Sequence, residues 1–212
     1  MRLVLASNNA KKLAELRALL AGLPLDLVSQ SSLGITEADE PHHSFIENAL
    51  AKARHAAHAS GGAALADDSG LCVAALSGAP GVQSALYGGD LPPLPAEDRE
   101  ARRQRQDSAN NTALLAALAP WADRRAHFSS TLVAVRHAAD PEPLVAVGRW
   151  AGEILSAARG SCGFGYDPLM LIPALGATVA ELPAELKNQH SHRAKAAAQL
   201  RQLLAEAWHL MP

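Results

Sequence analysis

The chain has 212 residues, of which 49% are hydrophobic and 19% are charged, and its formal net charge is −2. This length and composition allow one large domain or two closely packed lobes and exclude a disordered chain. The small negative charge argues against a general electrostatic grip on nucleic acid. The two cysteines form no Cys-x-x-Cys pair, which favours a reducing, cytoplasmic location, and no apolar stretch is long enough to span a membrane.

The first third of the chain is predicted to alternate strands and helices. Predicted strands cover residues 2–6, 25–30, 63–66 and 71–76, and predicted helices cover residues 11–20 and 44–61. Ser44 and Glu47 fit a capping box at the start of the second helix, and Gly61 fits its end. Residues 67–70, Asp-Asp-Ser-Gly, are predicted to form a tight element between two strands.

The remainder of the chain continues this alternation after a loop over residues 78–95, which is rich in Gly and Pro. Two helical segments are predicted over residues 97–106 and 111–118, the first of them solvated. Strands are predicted over residues 127–136, 144–147 and 150–155, the last two joined near Gly148, followed by an amphipathic helix over residues 191–208. The pattern indicates an α/β protein with a mixed sheet, organised as a single domain over residues 1–212.

Residues 7–12, Ser-Asn-Asn-Ala-Lys-Lys, lie where the first strand meets the first helix. A helix start presents unpaired backbone N–H groups and the positive end of the helix dipole, so this segment could cradle a phosphate. Taken alone, the pattern is explained better by an Asn N-cap followed by two surface lysines. It is not a Walker A loop, because Gly-x-x-x-x-Gly-Lys-[Ser/Thr] is absent.

Asp67 and Asp68 are adjacent carboxylates at the end of a predicted strand. Such a pair can hold a hard cation, and one member can accept a proton from an attacking water. Their mutual repulsion makes the pair costly without a metal or cation partner. The residues fit a turn capped by Asp67 equally well. Upstream, Glu40 could supply another metal oxygen, whereas Asn48 and Lys52 share a helix face that is predicted to be solvated.

Residues 160–168, Gly-Ser-Cys-Gly-Phe-Gly-Tyr-Asp-Pro, place glycines on both sides of Phe164. The glycines let the backbone approach a flat ligand closely, and the ring could stack on a base. The alternative is a hairpin whose Phe164 and Tyr166 pack in the core.

Lys187, His192 and Arg193 are predicted at the start of the last helix, where cations are disfavoured by the helix dipole. A bound anion would resolve that mismatch. The alternative is that Ser191 caps the helix and the basic residues face water.

Five segments, in order and over nearly the whole chain, resemble the inosine triphosphate pyrophosphatase family, also called Ham1-like. They are SNNAKK, SFIENALAKARHAA, ADDSGLCVAALSGAPGVQSA, GFGYDP and SHR. The resemblance implies a long central mixed sheet flanked by helices, with two lobes and an active-site cleft between them. It also implies a Mg²⁺-dependent homodimer that hydrolyses ITP, dITP and XTP to the monophosphate and pyrophosphate.

The resemblance also assigns roles to individual residues. Asp68 would be the catalytic proton acceptor and would bind the metal together with Glu40. The triphosphate would contact residues 7–12, and the base and sugar would contact residues 164–167, His192 and Arg193. The full set of residues implied to bind substrate is Ser7, Asn8, Asn9, Ala10, Lys11, Lys12, Lys52, Ser69, Phe164, Gly165, Tyr166, Asp167, Lys187, His192 and Arg193.

Two positions depart from the commoner pattern of that family. The first loop usually reads Thr-Gly-Asn where this chain has Ser7-Asn8-Asn9, and Leu86 stands where an arginine is usual. Because Asn tolerates left-handed backbone geometry, the turn is expected to survive. Other functions left open are a pyrophosphatase of related fold acting on other modified triphosphates and a nucleotide-binding regulator without turnover. The net charge argues against an RNA-binding module.

Overall fold

The computed structural model describes residues 1–210, which contain seven strands and five α-helices. The strands are β1 (Arg2–Leu5), β2 (Asp26–Ser29), β3 (Ala64–Val73), β4 (Arg125–Val135), β5 (Leu144–Ile154), β6 (Met170–Ile172) and β7 (Ala177–Thr178). The helices are α1 (Ala10–Leu19), α2 (Phe45–Ser60), α3 (Arg99–Leu118), α4 (Ala184–His190) and α5 (His192–Ala207). Within the described residues, no helix has the length and apolar character that crossing a membrane requires.

The strands form a seven-stranded sheet in the order β2-β1-β3-β4-β5-β6-β7. β1 pairs in parallel with β2 and with β3, and the β1–β3 register sets Leu5 opposite Leu65. β6 pairs antiparallel with β5 and with β7. The predicted α/β class with a mixed sheet is therefore confirmed.

The chain divides into two compact units. Of the described residues, the first unit comprises 1–69, 130–149 and 188–210, and the second comprises 70–129 and 150–187. The chain passes from one unit to the other within β3, β4, β5 and α4.

The core of the first unit lies on both faces of its strands, because successive side chains of a strand point to opposite faces. Leu3 and Leu5 of β1 pack with residues of α1 and α5, whereas Val4 packs with alanines of α2. β3 and β4 follow the same alternation. The α1/α5 face contains Leu65, Leu132 and Ala134, and the α2 face contains Ala64, Ala66, Val133 and Val135.

The second unit has its own hydrophobic core, built on α3. Leu114 and Leu118 of that helix are fully buried against apolar residues of the strands and of the segment before β6. These partners include Leu71, Phe128, Trp150, Ile154, Tyr166, Leu169 and Met170. Burying each large side chain contributes about 1.5–3 kcal/mol.

Three predicted interruptions are wrong, because β3, β5 and α3 each run without a break. Residues 67–70 lie within β3 and form no turn, and Gly148 lies within β5. α3 continues through the polar stretch 106–110, where Gln106 and Asn110 are engaged with the preceding loop rather than ending the helix. Strand pairing and tertiary hydrogen bonds override local turn preference at these positions.

Three short elements were not predicted from sequence. These are β6, β7 and α4, which have three, two and seven residues. Segments this short carry too few residues for a periodic pattern. One consequence is that Lys187 lies in α4 and not, as predicted, at the start of the last helix.

Candidate active site

The two adjacent carboxylates of β3 point to opposite faces of their strand. Asp67 follows Leu65 by two residues and shares the α1/α5 face, whereas Asp68 follows Ala66 by two residues and shares the α2 face. The strand thus separates two charges that a turn would have left side by side. Each carboxylate meets its own set of cations.

Asp67 is the anionic centre of a buried network on the α1/α5 face. Its carboxylate accepts hydrogen bonds from Ser130 Oγ at 2.9 Å and from Arg193 Nε at 2.8 Å, and Lys12 Nζ lies 3.4 Å away. Burial acts to raise the pKa of Asp67, but Arg193 and Lys12 hold that pKa far below its usual range. Asp67 is therefore a fixed negative charge rather than a proton acceptor.

Arg193 and Lys12 are enclosed cations. Arg193 is 1% exposed and also donates to Glu15 and, at 3.2 Å, to Ser69 Oγ. Burial lowers the pKa of Lys12 against the attraction of Asp67, and its Nζ also donates to the Asp67 carbonyl oxygen at 3.3 Å. The alternatives are right about the caps, since Asn9 caps α1 and Ser191 caps α5, and about the exposed Lys11. They are wrong about Lys12, which is half-buried against Asp67, and about Arg193, which is buried.

Asp68 lies in a different environment, on the α2 face. Its Oδ1 accepts a hydrogen bond from Lys52 Nζ at 2.7 Å, and the same ammonium lies 3.1 Å from Glu40 Oε2. Burial raises the pKa of Asp68 to about 6, against the opposing charge of Lys52. Its second oxygen, Oδ2, is buried with no hydrogen-bond partner in residues 1–210. Asp68 thus retains lone pairs for a ligand or a water.

α2 supplies Lys52 from a face that is buried and not, as predicted, solvated. Lys52 is 8% exposed and Asn48 is 1% exposed. The Asn48 side chain accepts from His42 N at 3.0 Å and donates to His42 O at 3.2 Å, which fixes the chain just after Glu40. Burial works to lower the pKa of Lys52, but Asp68 and Glu40 raise it overall, so the ammonium stays charged.

The helix starts at the predicted position, but the predicted capping box is incomplete, because the Glu47 carboxylate accepts from the Ser44 hydroxyl and not from the Ser44 backbone N–H. Ser44 Oγ accepts from Glu47 N at 3.3 Å, and the Ser44 hydroxyl donates to the Glu47 carboxylate at 2.6 Å. Gly61 ends the helix in the left-handed conformation. This firm start anchors the face that carries Lys52.

The loop Ser7–Asn9 follows the carboxyl end of β1. Asn9 caps α1 by accepting from the backbone N–H groups of Lys11 and Lys12 at 3.0 and 3.2 Å, and Ser7 Oγ accepts from Asn9 N at 3.2 Å. Asn8 Oδ1 is a buried acceptor without a partner among the residues described. Asn8 does not adopt a positive φ, so the expected left-handed turn is not the reason Asn is accepted here. Ala10 and Lys11 are exposed.

In the second unit, the segment 164–167 and Lys187 come together. Asp167 Oδ2 accepts from Phe164 N at 3.0 Å and from Lys187 Nζ at 2.8 Å, and Lys187 Nζ lies 4.6 Å from the centre of the Phe164 ring. Phe164 is half-buried, whereas Tyr166 packs in the core and donates its hydroxyl to Ser84 O at 2.8 Å. The side chain of Tyr166 is therefore a core residue, as the hairpin alternative predicted.

The predicted site residues thus form three local groups. Lys12, Ser69 and Arg193 surround Asp67. Glu40 and Lys52 surround Asp68. The third group comprises Phe164, Asp167 and Lys187. His192, the first residue of α5, is buried beside the first of these groups and acts electrostatically on Asp67.

Sequence reasoning missed several participants. Glu15 and Ser130 complete the network around Asp67, and Asp107 and Asn111 hold Gly165 in the second unit. A signal existed for Glu15, which lies three residues after Lys12 on one helix face, and for Asp107 and Asn111, which are four apart. Ser130 carried no such signal, because it reaches the site only through strand pairing.

The first prediction is that the two aspartates differ sharply in their effect on stability. Asp67→Asn leaves the buried Arg193 and the half-buried Lys12 without their shared carboxylate and should lower the free energy of unfolding by about 3–5 kcal/mol. Asp68→Asn should cost about 1 kcal/mol or less, because Lys52 retains Glu40 and a desolvated charge is removed. Urea denaturation followed by circular dichroism measures both. Equal losses, or a larger loss for Asp68→Asn, would contradict the assignment.

Comparison with known proteins places this geometry in a family. The model of the Ham1 family matches residues 3–203. A dITP/XTP pyrophosphatase of Leptothrix cholodnii is 67% identical, covering 99% of this chain and 100% of that protein, and one of Methylibium petroleiphilum is 65% identical, covering 98% and 99%. The solved structure of a HAM1 protein from Coxiella burnetii is 40% identical with a TM-score of 0.86, covering 98% of this chain and 100% of that one. The chain belongs to the Ham1 family.

Proposed function

We propose that this protein hydrolyses non-canonical purine nucleoside triphosphates, namely ITP, dITP and XTP, to the monophosphate and pyrophosphate. The observation that carries the proposal is the unequal treatment of the two aspartates. The carboxylate of Asp67 is paired with Arg193 and Lys12. Asp68 has a raised pKa and one buried oxygen without a hydrogen-bond partner among the described residues. The names of the relatives, dITP/XTP pyrophosphatase, supply the substrate class.

The reaction requires one water, one proton acceptor and a leaving pyrophosphate. Water attacks the α-phosphorus, the bond from that phosphorus to the bridging oxygen breaks, and pyrophosphate departs. Asp68 orients the water and accepts its proton, a task for which a carboxylate with raised pKa is suited. Lys52 and Lys12 offset charge on the phosphates from positions that are fixed before substrate arrives.

The residues around Asp68 fit a magnesium ion. Mg²⁺ uses one or two carboxylates, several waters and substrate phosphates, so a dedicated cage is not needed. Residues 1–210 contain no cluster of three His, Cys, Asp or Glu placed to hold a metal. Asp68 Oδ2 is the oxygen with lone pairs to offer, and Glu40 shares the same ammonium neighbour. We propose that Glu40 and Asp68 hold Mg²⁺, which when bound neutralises phosphate charge and acidifies a water.

Charge balance supports a divalent cation. The two networks contain the carboxylates of Glu15, Glu40, Asp67 and Asp68 against the cations Lys12, Lys52 and Arg193. Their carboxylates outnumber their cations, so an incoming triphosphate would meet net repulsion. A bound divalent cation would make the net charge of the two networks positive.

Base selection is assigned to the third group. Hypoxanthine and xanthine carry a carbonyl acceptor at purine position 6, where adenine carries an amine donor, so a fixed donor there favours the keto bases. Because Arg193 already donates from Nε and both Nη atoms to protein oxygens, we assign this donor to backbone N–H groups rather than to Arg193. Phe164 supplies the stacking surface.

A substrate panel tests the activity. Purified protein with Mg²⁺ should convert ITP, dITP and XTP to monophosphate and pyrophosphate, with kcat/KM at least about 100-fold above that for ATP. Chromatography separates monophosphate from diphosphate products. Similar kcat/KM for ATP and ITP would overturn the purine assignment. Turnover only of modified pyrimidine triphosphates would favour the related pyrophosphatase, and binding without pyrophosphate release would favour a silent regulator.

The role of Asp68 is tested by substitution and by metal removal. Asp68→Asn should lower kcat by about 10²–10⁴-fold while the protein stays folded, since general base catalysis contributes that much. Asp26→Asn, at an exposed position of β2, is the matched control and should retain activity. Chelation should abolish turnover and added Mg²⁺ should restore it. Near-normal kcat in Asp68→Asn would remove the proposed base.

We further propose, from the family resemblance, that the protein is a cytoplasmic homodimer. Light scattering coupled to size-exclusion chromatography should give about twice the chain mass of 22.2 kDa. A mass that stays at one chain across micromolar concentrations would contradict the dimer.

A further inference from the structure

One face of α3 is directed at the loop that carries Phe164. Arg103, Asp107 and Asn111 are spaced four residues apart, so they lie along one side of the helix. The Arg103 guanidinium lies 4.8 Å from the centre of the Phe164 ring. Asp107 and Asn111 contact the next residue, Gly165. Asp107 lies between residues 106 and 111, where the sequence predicts a break in the helix and the structure has none.

Both backbone polar groups of Gly165 are held by side chains of α3. The Gly165 N–H donates to Asp107 Oδ2 at 2.8 Å, and the Gly165 carbonyl oxygen accepts from Asn111 Nδ2 at 3.0 Å. Gly165 has a φ of +61°, a conformation that side-chain-bearing residues rarely adopt. The two hydrogen bonds therefore hold the two peptide groups on either side of Gly165.

Phe164 is fixed from both of its flanking peptides. Its own N–H donates to Asp167 Oδ2 at 3.0 Å, and the N–H of the following peptide is the one held by Asp107. Two carboxylates from different elements thus orient the backbone on either side of the ring. Arg103 and Lys187 lie 4.8 and 4.6 Å from the ring centre, which places the aromatic face in a cationic setting.

We propose that Asp107 and Asn111 are positioning residues for purine recognition. The inference rests on the proposed function, in which Phe164 and the neighbouring backbone N–H groups meet the base. In this role Asp107 and Asn111 contact Gly165 and not the base or the phosphates. They act through Gly165, by holding the stacking ring and the adjacent peptides in their binding geometry before the base arrives.

This role predicts a selective loss. Removing either side chain leaves the loop free to rotate, so a base must order it on binding, whereas groups that meet the phosphates are unaffected. Asp107→Ala and Asn111→Ala should each raise KM for ITP by about tenfold, the equivalent of one buried charge-assisted or amide hydrogen bond. The kcat value should stay within about threefold of the parent value, because the acid–base machinery is unchanged.

A ligand that has phosphates but no base separates a positioning role from a general loss of structure in the site. Calorimetry should show weaker binding of inosine monophosphate to both variants, and inhibition of ITP hydrolysis by tripolyphosphate should keep its inhibition constant. Asp107→Asn should stay within about threefold of the parent KM, because its side-chain oxygen still accepts from Gly165 N–H. Gln104→Ala, on the exposed side of α3, should change neither value. If Asp107→Ala does not fold, Asn111→Ser carries the same test.

Two results would overturn the inference. One is an unchanged KM and unchanged inosine monophosphate affinity in both alanine variants. The other is an equal loss of inosine monophosphate and tripolyphosphate binding, which marks a merely structural role. If the parent protein binds inosine monophosphate but does not hydrolyse ITP, the proposed function fails while the binding comparison still decides the positioning role. If it binds no purine nucleotide, both fail.

Discussion

The alternation of side chains along β3 is the constraint on which the candidate active site depends. Asp67 and Asp68 are neighbours in sequence, yet the strand directs them to opposite faces. One carboxylate can therefore be neutralised completely while the other keeps capacity for a ligand. A slip of one residue in the β1–β3 register would exchange their surroundings and place the wrong carboxylate beside Lys52. Leu5 and Leu65 are paired in parallel and are both fully buried on the α1/α5 face. A one-residue slip is therefore unfavourable, because it would remove Leu65 from that buried face.

The sequence predicted the class of fold better than it predicted the local arrangement of the proposed site residues. Hydrophobic patterning was sufficient for β1, a continuous apolar run, and for α1, α2 and α5, whose apolar residues recur at helical spacing. It failed at residues 67–70, where Asp, Ser and Gly have strong turn preferences and only pairing with neighbouring strands makes an extended conformation favourable. It failed at residues 106–110 for a related reason, since the polar side chains there bond to distant backbone groups rather than to water.

The proposed site residues likewise differ in how far the sequence predicts them. Lys12, Lys52, Asp68 and Arg193 lie in recognisable segments, and their family resemblance named them. Burial of Lys52 and Arg193 could not be predicted, because it depends on carboxylates that converge from other segments. Asn48 illustrates the difficulty. A polar residue on a helix is predicted to face solvent unless the loop that hydrogen-bonds to its side-chain amide is known, here the backbone of His42. Ser130 has no neighbouring partner in the sequence, and its role becomes visible only when its hydroxyl is seen to donate to Asp67.

The helix termini show how stability and function have been balanced. α2, α3 and α4 each have an acidic residue in the first turn, the arrangement that the helix dipole favours. α1 and α5 have none, and carry Lys12 and Arg193 there instead. A cation at a helix N-terminus costs about 0.3–1 kcal/mol. Both of these cations contact Asp67, so one buried carboxylate supplies the negative charge that two helix starts lack. The starts of α1 and α5 are thereby held near the same carboxylate, so two helix N-termini, each a favourable position for an anion, lie on one face of β3.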